Sequence, residues 1–190
     1  MSATQPPAGK LSNDGITDIQ LAVSRDGVDW SRPSREPFIP LQPGEHGLYM
    51  ACGMVRQGDE LNLYYGVYYN THGDISDTRN HISRAVIRLD GFVSADAEGE
   101  GSLTTAPLTF TGSHLELNAV GEEVRAALLN EAGKELPGFG LADCDPLVGD
   151  HVAGTVTWGG KADVRELAGK TVRLRIAMRR AKVCAFQFAG

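Results

Sequence analysis

Two short polar stretches hold the side chains best able to move protons or hydrogen-bond a ligand in the first half of this 190-residue chain. Pro43-Gly44-Glu45-His46-Gly47 offers a carboxylate and an imidazole. Asn70-Thr71-His72-Gly73-Asp74 offers an amide, a hydroxyl, a second imidazole and a second carboxylate. Carboxyls and imidazoles are the usual general acids and bases, while amides and hydroxyls orient a ligand by donating and accepting together. The same residue types fill ordinary β-loops, where they cap turns and face water, and for the cluster as a whole the two readings stand level.

Beyond residue 102, aspartates gather at Asp143-Cys144-Asp145-Pro146 and Asp150-His151. Their oxygens suit Ca²⁺, but turn capping is the reading we favour. Trp158 is either a flat platform or a core anchor. Cys52, Cys144 and Cys184 lie far apart without metal-ligand spacing, and an odd count cannot close completely into internal disulfides. Cys52 and Cys184 fall in apolar strands and are expected as buried thiols. No metal or cofactor is expected.

The elements that must position these residues read as strands. Twenty-three glycines, nine prolines and the lack of a long helical apolar period point to an all-β chain with many turns. Strands are expected at Asp18–Ser24, Asp29–Ser31, Pro37–Leu41, Leu48–Arg56, Glu60–Tyr69 and His81–Leu89, with turns at Asp26-Gly27, Gln57-Gly58-Asp59 and Asp90-Gly91. A meander reverses at each turn, so the loop leading into Leu48–Arg56 and the loop leaving Glu60–Tyr69 should share one rim. Tyr64, Tyr65, Tyr68 and Tyr69 are expected mainly in packing. Residues 95–102, small, acidic and Gly-rich, read as a linker. Beyond it, six strands are expected at Leu103–Phe110, His114–Val120, Val124–Asn130, Gly154–Trp158, Thr171–Arg179 and Lys182–Phe188, enough for an antiparallel β-sandwich.

Ser24-Arg25-Asp26-Gly27-Val28-Asp29-Trp30, directly behind the alternating run Ile19–Val23, resembles the strand-turn-Trp segment of the five-bladed propeller glycosidases, glycoside hydrolase families 32 and 43. Glu60-Leu61-Asn62-Leu63-Tyr64-Tyr65-Gly66 resembles the next-blade strand of the same proteins. Asp163–Arg175, a short helical turn, Gly-Lys and a strand, is similar to a segment of lectin-like jelly rolls, a sandwich such glycosidases often carry at the C-terminus. The resemblance implies a fold of about one and a half propeller blades followed by a jelly-roll β-sandwich, divided as a mobile lead over 1–17, blades over 18–94, the linker, and the sandwich over 103–190. A ring needs at least four blades, so the chain reads as the C-terminal part of a larger protein. In that family the shared rim is the ligand side, which makes Glu45, His46, Asn70, Thr71, His72 and Asp74 substrate-binding candidates. Hydrolysis of a glycosidic bond there needs two flanking carboxyl groups. Those sit in family motifs that this chain lacks, so no catalytic residue is assigned and the chain alone is expected to be inactive. A carbohydrate-binding or purely structural sandwich is the alternative.

The formal net charge of −6 and the absence of a basic cluster beyond Arg173, Arg175, Arg179 and Arg180 argue against a nucleic-acid partner. Those arginines alternate with apolar residues and read as one solvated strand face. No stretch is apolar enough for a membrane span, and Met1–Asn13 lacks the apolar core of a signal peptide, although the resemblance implies a secreted or periplasmic parent. The partners expected are a carbohydrate and, through an exposed blade edge, a second copy of the chain.

Overall fold

Alternation of apolar and polar residues, punctuated by glycine turns, makes strands the main regular structure of the described residues. The computed structural model describes residues 15–71 and 79–190. The lead before Gly15, together with His72 and Asp74, lies outside the described residues. Among them there is no α-helix, and the one helical turn is the 3-10 segment Arg165–Leu167. The chain divides into two compact units, the first ending at Ile87 and the second running Arg88–Gly190.

The first unit opens with a two-stranded ribbon, β1 (Val23–Ser24) and β2 (Trp30–Ser31). The expected two-residue turn is a five-residue loop, because Ser24 pairs with Trp30. Asp26 organises it: its carboxylate accepts from the amides of Val28 and Asp29, both at 2.8 Å, and these bonds hold it below the usual carboxylate range. Trp30 is 63% exposed. With so short a ribbon, its indole folds back and donates to the Gly27 carbonyl at 3.1 Å.

Next comes a meander of β3 (Gly47–Met50), β4 (Val55–Gln57), β5 (Glu60–Tyr68) and β6 (Asn80–Arg88). The expected strand Leu48–Arg56 is interrupted. β3 and β4 both pair with β5, but the register moves by two residues between Met50 opposite Tyr65 and Val55 opposite Asn62. Ala51-Cys52-Gly53-Met54 takes up the slack, and Gly53 at φ 86° supplies the left-handed residue such a pinch requires. Cys52, expected buried, is therefore exposed. Strand parity sorts the tyrosines of β5. Tyr65 and the following Tyr69 pack on a small core of Ile19, Leu48 and Val67, while Tyr64 and Tyr68 face outward.

The second unit is a four-stranded antiparallel sheet ordered β7-β10-β8-β9, curled into about half a barrel. Its strands are β7 (Ala95–Thr104), β8 (His114–Leu129), β9 (Leu147–Thr155) and β10 (Arg173–Ala189). Where six short strands were expected there are four, and the two central ones run 16 and 17 residues. Each merges two expected strands across a bulge rather than a turn. In β10 the bulge lies at Arg179–Ala181, where the register against β7 slips, with Arg180 at φ 41°. Its partner on β8 is Gly121, where a Cβ would run into Ala181 and reach within 2.6 Å of the Arg180 carbonyl oxygen. Only glycine fits so close an approach.

The stretch expected as a linker, 95–102, is most of β7. Its alternation makes this possible: Ala95 and Ala97 pack toward the core, whereas Asp96 points out and pairs with Lys182 at 3.0 Å. The core within the curl is built from Leu115, Leu117, Val124, Ala126, Leu128, Leu174 and Ile176, closed by Phe110, Val156, Trp158 and Val164. The arginine-bearing face of β10 is partly solvated, as expected, and it is also ion-paired. Arg179 meets Glu122 at 2.8 Å and Glu123 at 3.3 Å, Arg180 meets Glu122 at 2.6 Å, and Arg175 lies 3.7 Å from Glu135.

Candidate functional site

The two polar loops do meet at one end of the β3–β5 pair, as far as they are described. Gly47 pairs with Tyr68, and the His46 amide donates to the Tyr68 carbonyl at 2.9 Å. The His46 ring lies 2.9 Å from the Tyr69 carbonyl through Nδ1. A carbonyl only accepts, so Nδ1 carries the proton in that bond, and the ring staples the incoming loop to the end of β5. Glu45 serves its own turn: its carboxylate accepts from the Gln42 amide at 2.8 Å while its amide donates back to the Gln42 carbonyl at 3.0 Å. For these two residues, turn capping is the role seen.

Asn70 and Thr71 instead line an open cleft of about 320 Å³, and its other walls are Tyr49 and Tyr68. The two rings meet edge to face, with centroids 5.2 Å apart and planes at 88°. They are 40% and 37% exposed, and Tyr64, 39% exposed, continues the same face along β5. The register explains the arrangement. Tyr49 stands opposite Gly66 and Tyr68 opposite Gly47, so each tyrosine has a glycine across the pair and another two residues before it in its own strand. A Cβ on Gly47 would lie 3.0 Å from the Tyr49 ring, and one on Gly66 would lie 3.1 Å from the Tyr68 ring. The glycines thus leave room for both rings to recline on the sheet instead of standing away from it. Such a floor presents an open aromatic surface, and Asn70, Thr71 and the phenolic hydroxyls place hydrogen-bonding groups along its rim.

Tyr49 was missed as a site residue and Tyr68 was assigned to packing. The signal was the paired pattern Gly47-x-Tyr49 and Gly66-x-Tyr68, which becomes legible only with the register. The described lining of the cleft carries no carboxylate, so the described residues assemble no flanking acid–base pair there.

The second unit has its own concavity, about 310 Å³, lined by Phe139, Trp158, Lys161, Asp163 and Glu166. Trp158 is a core anchor: it is buried, donates from its indole to the Ala126 carbonyl at 3.0 Å and meets Phe139 edge to face at 5.3 Å. Asp143 and Asp145 cap turns. Asp143 accepts from the Gly140 amide at 3.2 Å, and Asp145 takes the Thr157 hydroxyl and the Gly160 amide, both at 2.7 Å. Those two bonds hold Asp145 below the ordinary carboxylate range. The described residues contain no group of three or more His, Cys, Asp or Glu side chains placed to hold a metal ion. Cys144 is buried against the Ala126 amide, and burial pushes its thiol up. No protein family, curated protein or solved structure matches this chain.

Proposed function

We propose that this chain binds carbohydrate on the open tyrosine face of its first unit and does not hydrolyse it. The observation that carries the reading is the reclined Tyr49–Tyr68 pair over Gly47 and Gly66, with Asn70 and Thr71 beside it. The resemblance of the Ser24–Trp30 and Glu60–Gly66 segments to propeller glycosidases supports the same ligand class. On this reading the meander of β3 to β6 is part of a propeller blade, and the second unit is the accessory β-sandwich region of a larger carbohydrate-active protein. The missing family carboxylates keep catalysis out of this chain.

The test is titration of a panel of soluble oligosaccharides followed by NMR chemical shifts, with reducing-sugar release measured alongside. Binding is expected without release. Tyr68→Ala and Tyr49→Ala should each weaken it about tenfold, the loss of roughly 1.4 kcal/mol of stacking. No binding at millimolar sugar, or affinity untouched by both substitutions, would sink the proposal. Self-association is a second reading, favoured by exposed Ile82 and Val86 on β6, a strand paired with β5 alone among the described strands. Light scattering distinguishes it.

A further inference from the structure

We propose that Met50, Cys52 and Met54 form a three-sulfur site for a soft monovalent metal ion, Cu(I). The proposal is independent of the carbohydrate reading. Of four methionines and three cysteines in the chain, three stand within five residues, Met50-Ala51-Cys52-Gly53-Met54. All three are exposed, the methionines by 41% and 54%, whereas Met178 is buried in the second core as an apolar side chain ordinarily is.

The pinch between β3 and β4 gathers them. Met50 stands opposite Tyr65. Extended by one residue beyond the end of β4, the register that pairs Val55 with Asn62 would bring Met54 level with Leu63, two residues from Tyr65 along β5. The methionine backbones therefore lie roughly 7 Å apart along the sheet, where an uninterrupted strand would separate them by roughly 13 Å. Cys52 sits in the slack between them, and Gly53 at φ 86° makes the reversal. Two exposed thioethers thus flank one exposed thiol along the chain.

Thioether and thiolate donors select Cu(I) over Zn²⁺, Mg²⁺ or Ca²⁺, which prefer nitrogen or oxygen or demand more anionic ligands. On binding, the Cys52 thiol proton leaves to solvent, and the thiolate and the monovalent ion form a neutral three-sulfur complex with no change of oxidation state.

The full chain, reduced and free of oxygen, is titrated with Cu(I) against a chromogenic Cu(I) chelator. One ion per chain is expected, with three sulfur neighbours by X-ray absorption. Cys52→Ser should lower affinity by at least about a hundredfold, and Met50→Leu and Met54→Leu by about tenfold each. Cys184→Ser should leave it unchanged. The methionine variants keep volume and lie at the surface, so circular dichroism should show them folded even if Cys52→Ser were not. The proposal falls if the chelator takes all the copper, if Cys52→Ser binds as well as the parent, or if the Met50→Leu/Met54→Leu pair loses nothing.

Discussion

Gly121 sits at a close backbone approach between β8 and β10. It faces the bulge at Ala181, and the space a side chain would need is filled by the Ala181 backbone and the Arg180 carbonyl, neither of which can swing aside. Gly121→Ala should therefore cost about 1–3 kcal/mol, an overpacking penalty that denaturant unfolding would register as a lower midpoint with unchanged slope. An unchanged midpoint would mean the bulge relaxes freely. Residue-scale chemistry at the candidate face has the same origin: glycines opposite tyrosines decide where the rings lie. A composition-level reading saw the tyrosines and weighed them as packing. It could not see which glycine each would face, because that depends on a register formed between segments far apart in the chain.

At the scale of elements, local signals worked where a turn was a turn. Gln57-Gly58-Asp59 and Asp90-Gly91 were legible, as was the order of the meander. They failed where a glycine or a like-charged pair marked a bulge inside a continuous strand: Gly121-Glu122-Glu123 and Arg179-Arg180 separate expected strands and are irregularities, against β9 and β7 respectively, within 16- and 17-residue strands. Residues 95–102 misled by composition, since acidic, glycine-rich segments are usually linkers. Here alanines alternate with the acids, and β10 offers a complete partner. A testable consequence concerns where the second unit begins. Residues 88–190 produced alone should unfold cooperatively. A chain starting at Ser102 loses the Ala95 and Ala97 packing and the Arg88 bonds to Asn118 and Asp150, and should be less stable by at least about 2 kcal/mol. Equal midpoints would show that β7 is dispensable.

For the molecule as a whole, the direction of its carboxylate shifts sets a pH dependence. Asp26, Asp96, Glu122, Glu123, Asp145 and Asp163 all lie below their ordinary values, held there chiefly by hydrogen bonds from hydroxyls, amides and arginines. Asp163, gripped by Arg165, reaches about 2. The folded state therefore holds fewer protons than the unfolded chain in acid. The stabilisation is complete above the ordinary carboxylate values, near 3.8 for Asp and 4.5 for Glu, and is lost as pH falls through the lowered ones. Denaturant midpoints should fall between pH 6 and pH 3, and the difference should shrink in high salt because these groups face solvent. A midpoint independent of pH over that range would contradict the assignment.

β7 ends its sheet, so one side of its backbone has no neighbour among the described strands. Asp96, Glu98 and Glu100 stand exposed along it, a row of like charges on a strand open to pairing with another molecule. Two such borders brought together would set carboxylate against carboxylate, which discourages intermolecular sheet growth without any covering segment. The acids that make 95–102 look like a tether thus act as a guard, and replacing Glu98 and Glu100 with threonine would leave a strand of high β-propensity exposed to fibrillar stacking.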